Sequence, residues 1–330
     1  MMKTFAFIGL EKNAGKTTAF NYLYLKLLKS VQASNIALTS VGVNGEEFDQ
    51  LSGRAKPNIT IKRGSIFITR GNWLATVSNL YSTHALLPSS PSPLVIGQAL
   101  VDLSIVLEGP NDRSEALLLK QQLTKLSLTL DHLLLDGSID RHFIAHPQVS
   151  DRIYCSLPLP TSTLATNIRA MVQLYAMNLS ATSDELANCI QVELASHHQA
   201  TVLIIERNSS LTYHSTMPTI YNQQLTFEIN RRVESGIKFT LYLNGALTTS
   251  LALLITGHGE WIDVVLDNFT CFCPAQLTPP IRDLSLTLLH PANLEMIFIK
   301  QQNFLHYDLP WEKRINLFNI FRDNPNAIKL

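Results

Sequence analysis

An α/β fold, with a mostly parallel sheet and helices on both faces, is what the sequence predicts, and three observations predict it. Short apolar runs of strand length alternate with stretches patterned for helix, the order that builds βαβ units. A glycine-bearing turn, Gly9 to Gly15, lies between the first such strand and the first such helix. The 330 residues are 46% hydrophobic and 16% charged, which suits a large core and two ordinary domains rather than a disordered chain.

Residues 3–9 (KTFAFIG) form a short buried strand in this reading. Residues 16–31 form a helix, with Phe20, Leu23, Leu25, Leu27 and Leu28 on its apolar side. Residues 36–43 form a second strand. The alternation in ITIKRGSIFIT (59–69), split by Arg63-Gly64, predicts a β-hairpin insertion. PSSPSP (88–93) is a loop, 100–108 a strand and 113–127 a helix. HLLLDG then places a strand at 131–135, ending at Asp136-Gly137. Further strands are expected at 200–206, 237–243, 261–269 and in LEMIFIKQ, with a helix at 246–256. SLPLPTST breaks the pattern, so the domains are drawn as 1–155 and 156–330, the second a further α/β region.

Lys plus Arg equal Asp plus Glu at 26 each, so charge gives no reason to expect nucleic acid or an anionic membrane as partner. The opening apolar run is too short for a signal peptide, and no window approaches a membrane span. A cytoplasmic location is expected. Cys271-Phe272-Cys273 lies in an apolar run without a second Cys/His pair at zinc spacing, and reads as core. His142 and His146 stand at i and i+4, but the adjacent Pro147 argues against a metal-binding helix.

The chemistry concentrates in FAFIGLEKNAGKTTAF (5–20). A strand, a tight glycine turn and a helix N-terminus together aim backbone N–H groups at phosphate oxygens. Gly15-Lys16-Thr17 supplies the lysine for the β- and γ-phosphates and the hydroxyl for Mg²⁺. In the common G-x-x-x-x-G-K-[ST] register the first glycine would replace Leu10. Here it is Gly9, which makes a loop one residue longer. Gly9, Asn13, Ala14, Gly15, Lys16, Thr17 and Thr18 are the expected phosphate-binding residues. A carboxylate at the end of a neighbouring strand must hold the metal or its water, and Asp136 has that context. Lys16 and Asp136 are therefore the expected catalytic residues, with Thr17 and Asp136 serving the metal. Glu46, Glu47 and Asp49, in NGEEFD after the second strand, are candidates for water, metal or substrate contact. No Asn-Lys-x-Asp occurs, so ATP with Mg²⁺ is expected rather than GTP.

The Gly-x₅-Gly-Lys-Thr spacing resembles the loop of dethiobiotin synthetase and the cobyrinate amidases, within the P-loop NTPase class that also contains partition and nitrogenase iron proteins. Glu11 stands where partition-type relatives carry a further lysine. Glu108, in VLEGP, stands where synthetase-like enzymes have a functional glutamate. FIGLEKNAGKTT, GEEFD…KPNITIKRGSIFIT, EGP and DGSIDRHFIAHPQVSD together resemble the P-loop subunit of the lysine 5,6-aminomutase reactivating factor over about residues 3–155. The resemblance implies an ATP-binding subunit that helps exchange damaged cobalamin in an adenosylcobalamin-dependent aminomutase. It implies two partners, that client enzyme and a second, MutS-like ATPase subunit. The alternatives are an ATP-dependent ligase of the dethiobiotin synthetase type acting on a small carboxylate, and a non-catalytic interaction protein that keeps the fold.

Overall fold

The computed structural model describes residues 2–9, 14–42, 59–126, 128–137, 142–158, 181–206, 210–219, 222–268, 271, 286–291, 293–300 and 316–319. In chain order these form β1 (Lys3–Gly9), α1 (Lys16–Leu27), β2 (Ile36–Ser40), β3 (Thr60–Ile61), β4 (Ile66–Arg70), β5 (Tyr81–Leu87), β6 (Leu94–Ala99), β7 (Leu103–Ser104), α2 (Arg113–Lys125), β8 (His132–Asp136) and β9 (Arg152–Pro158). There follow α3 (Asp184–Ser196), β10 (Val202–Glu206), β11 (Leu211–Ser215), α4 (Gln223–Glu234), β12 (Phe239–Leu243), α5 (Thr249–Thr256), β13 (Ile262–Asn268), β14 (Leu286–His290), β15 (Leu294–Lys300) and β16 (Asn316–Asn319).

The chain divides into two compact units, residues 1–164 with 293–330, and residues 165–292. This corrects the division into 1–155 and 156–330. β15 pairs in parallel with β9, so the end of the chain belongs to the first unit and the second is an insertion between those two strands. Only long-range pairing decides this, because LEMIFIKQ is an apolar run that would suit either sheet.

Unit 1 is a nine-stranded sheet in the order β16-β15-β9-β1-β8-β2-β4-β6-β5. Pairing is parallel from β16 to β4 and antiparallel from β4 through β6 to β5. The central strands are buried on both faces, as parallel strands must be, and so read as continuous apolar runs. One face carries Phe5, Phe7, Leu38, Phe67, Leu134 and Tyr154 against Phe20, Leu23 and Tyr24 of α1. Phe7 stacks on Tyr154 and meets Phe20 edge-on. α2 starts at a reciprocal cap: Asp112 Oδ1 accepts from Glu115 N at 2.8 Å, and Glu115 Oε2 accepts from Asn111 N at 2.6 Å.

The hairpin expected over 59–69 does not form. Arg63-Gly64 does make a turn, with Gly64 at φ 89°, but the strands it joins enter different sheets. β3 pairs with β7, and β4 pairs with β2 and β6. The hairpin in this region is β5–β6, around the 88–93 loop. The strand expected at 100–108 shortens to β7, and the remainder runs on without regular structure.

Unit 2 is a five-stranded sheet in the order β11-β10-β12-β13-β14. β12, β13 and β14 are parallel, and β10 runs antiparallel to both its neighbours. Leu203, Ile205, Tyr242, Val265 and Leu289 pack on Ile190 of α3.

Candidate functional site

Unit 1 reverses its winding about β1. From β1 the chain runs first toward β2 and β4, and later, through β8 and β9, toward β15 and β16. Loops that leave in opposite directions open a crevice at the carboxyl ends of the strands, where ligands bind in open α/β sheets. The glycine turn sits at that reversal. Gly15 adopts φ 91°, ψ 19°, a left-handed conformation that a side chain would strain, and its carbonyl accepts from Ala19 N at 3.0 Å to start α1. The Lys16 side chain folds back over Gly9: a Cβ built on Gly9 would lie 2.8 Å from Lys16 Cγ. The missing side chain at Gly9 thus leaves the space that the stem of Lys16 occupies.

Thr17 Oγ1 donates to Asp136 Oδ2 at 3.0 Å, across 119 residues of sequence. The sheet order produces this meeting. β8 lies between β1 and β2, and Asp136 is level with Phe7 on one side and Ser40 on the other. The Asp136 main chain is pinned as well, its carbonyl accepting from Val41 N at 2.7 Å and from Ser40 Oγ at 3.3 Å. Gly137 N then donates to Phe7 O at 2.9 Å. Asp136 is buried, so its carboxylate is presented to Thr17 rather than to bulk water. Beside this site Cys155 on β9 is fully enclosed. Burial pushes its thiol up to about 12, against the opposing pull of the Lys16 charge.

A hydroxyl and a carboxylate are hard oxygen donors. That set fits Mg²⁺, which is bound by one or two protein oxygens together with phosphate and water. Ala14, just before α1, is buried, and Thr18 in its first turn is half-buried. Asn13, Glu46, Glu47 and Asp49 lie outside the described residues, as do Leu10, Glu11, Lys12 and Cys273.

Glu108, a candidate functional glutamate by the resemblance, is held by two donors. One carboxylate oxygen accepts from Arg70 Nε at 3.0 Å and the other from Trp73 Nε1 at 2.6 Å. The fully buried Arg70 also donates to Ser89 Oγ at 2.8 Å and Ser92 O at 2.7 Å, and its Nη2 lies 3.7 Å from Glu115 Oε2. Sequence reading passed over Arg70 and Trp73. The signal available was a charged residue ending an otherwise apolar strand, IFITR. His146 is also committed: Arg113 Nη1 is 2.9 Å from Nε2, and Gln148 N is 3.1 Å from Nδ1.

Unit 2 carries its own buried aspartate at a strand end. Asp267 accepts from Tyr242 Oη at 2.8 Å and from Asn268 Nδ2 at 2.6 Å, with His290 Nε2 at 3.9 Å. Cys271 is buried nearby, its thiol pushed up to about 11 chiefly by burial. No helix among the described residues is long and apolar enough to cross a membrane. No protein-family model, curated protein or solved structure matches this chain.

Proposed function

We propose that unit 1 is a P-loop-type module that binds Mg-ATP and uses its occupancy as a switch. The observation that carries this reading is the 3.0 Å contact between Thr17 and Asp136, at the sheet reversal and beside Lys16, whose stem packs over Gly9. Lys16 neutralises the β- and γ-phosphates, and the N–H groups opening α1 face phosphate oxygens. Thr17 and Asp136 hold the metal, which when bound supplies charge neutralisation between the phosphates. Differential affinity of a client for the occupied and empty states then drives the client's change.

The client proposed is an adenosylcobalamin-dependent aminomutase, served together with a MutS-like ATPase subunit. This rests on the resemblance over residues 3–155. The ligase alternative asks for a basic residue free to hold a substrate carboxylate. Among the described residues Arg70 is paired with Glu108 and Arg113 with His146, so neither supplies that residue.

Calorimetry of Mg-ATP binding to the wild type and to Lys16→Ala tests the module. Wild-type binding that weakens by about 100-fold or more in the variant is expected, the scale of losing one partner of a desolvated charge pair. Equal, negligible binding in both would remove the nucleotide reading. The client is tested by adding this chain, the MutS-like subunit, ATP and fresh cobalamin to a turnover-inactivated aminomutase. Recovery that needs all four supports the assignment, and recovery without this chain ends it.

A further inference from the structure

We infer that Glu108 is a positioning residue for Asp136, acting through the backbone between them; this rests on the nucleotide reading above. β2 and β4 pair only at Ala37–Ile66 and Leu38–Phe67. Beyond that point they separate, and the chain at 106–109 enters the gap. Thr39 Oγ1 donates to Ile68 O at 2.9 Å, Thr69 Oγ1 donates to Val106 O at 2.8 Å, and Glu108 N donates to Thr69 Oγ1 at 3.1 Å. The next residue makes the closest approach. Gly109 N donates to Ser40 O at 2.6 Å, and a Cβ on Gly109 would lie 2.8 Å from that same oxygen and press into Thr39 Oγ1.

Ser40 and Val41 are the residues that hold the Asp136 carbonyl. The end of β2 is therefore supported from one side by β8 and from the other by this wedge. The wedge is itself held by the Glu108 carboxylate on Arg70 and Trp73. Arg70 is fully buried, so its charge needs carboxylates in place, and if Glu108 moved away that charge would keep only Glu115, at 3.7 Å, in place of a 3.0 Å partner. The Arg70–Glu108 pair thus fixes where β2 ends, and the end of β2 fixes where the Asp136 carboxylate meets Thr17. Glu108 needs no contact with the metal to set its affinity.

Unit 2 supplies the control, because it too buries an arginine between glutamates. Arg232 lies 3.3 Å from Glu206 and 2.5 Å from Glu228. The test is a Mg²⁺ titration of ATP binding in the full chain, with ATP affinity in EDTA and the melting temperature measured alongside. Glu108→Gln and Gly109→Ala should raise the Mg²⁺ concentration at half-effect by about tenfold, the scale of disturbing residues that support metal ligands. Their affinity for ATP in EDTA should be unchanged, and Glu206→Gln should leave both quantities unchanged. Thr69→Val, which removes the hydroxyl between β4 and the wedge, should shift the Mg²⁺ midpoint in the same direction and keeps the test open if Glu108→Gln fails to fold. An unshifted midpoint in the folded variants, or an equal loss of affinity in EDTA, overturns the inference. A wild type that binds no nucleotide overturns the site reading with it.

Discussion

Both units place a buried aspartate at the carboxyl end of a parallel strand, and both bury an arginine between two glutamates, yet they use these parts differently. In unit 2 the Asp267 carboxylate meets the unit's own Tyr242 and Asn268. Its arginine cluster stands on the opposite edge of the sheet, since Glu206 is level with Phe239 at the start of β12. In unit 1 Asp136 faces Thr17 at the helix start, and the arginine cluster supports the same edge. Topology accounts for the difference. The parallel strands β12, β13 and β14 follow one another in a single direction and so form no switch point, whereas unit 1 reverses at β1. The same side-chain chemistry therefore closes an edge in one unit and stands at the proposed nucleotide site in the other.

The largest expected effect tests the arginine clusters. Arg232→Met leaves Glu206 without its cation and Glu228 with only the exposed Arg231, and should cost about 3–5 kcal/mol in urea unfolding of unit 2. Its Mg-ATP affinity should stay at the wild-type value, and a fall there would break the contrast between the units. Next come the aspartates. Asp267→Ala takes a buried acceptor from the Tyr242 hydroxyl and the Asn268 amide, at about 2–4 kcal/mol, and should spare nucleotide binding. Asp136→Ala should remove the Mg²⁺ dependence of ATP binding at a smaller cost in stability. If the two variants behave alike, the edges do not differ in role.

The smallest effect sharpens the comparison through pH. Burial raises the Cys155 thiol to about 12 in unit 1 and the Cys271 thiol to about 11 in unit 2, from an ordinary 9.0. A raised acid is neutral in the folded state, so its stabilisation is complete below pH 9.0 and is lost as pH rises through the folded value. Stability measured from pH 8 upward should fall above about pH 9, and Cys155→Ala and Cys271→Ala should each flatten part of that fall. Thiol labelling near pH 8 should reach the half-buried Cys189 before either buried thiol.

Much of the site was legible in the chain. The strand at 3–9 has the bounds read from its apolar run, and the helix starts at Lys16 as the glycine turn requires, although it ends at Leu27, short of the expected 31. HLLLDG placed Asp136 at a strand end, and β8 puts it there. The Arg63-Gly64 turn was also read, but the partners of its flanking strands were not. α3 and α4 went unread as well. The polar faces of α4 mix with a buried Arg232, which reads as surface until its glutamates are in place.

The sequence by itself determined the local elements and the kind of chemistry: apolar runs, glycine at a left-handed position, and lysine and threonine at a helix start. These depend on neighbours a few residues away and on backbone sterics, so they are written in short stretches. Tertiary structure alone decided that β8 lies between β1 and β2, which brings Asp136 to Thr17. It also decided that 165–292 is inserted between β9 and β15, and that Glu108 pairs with the buried Arg70. Each of those outcomes depends on which strand pairs with which. Apolar strands of similar length can pair in many orders, so the choice is settled only when the whole core packs at once.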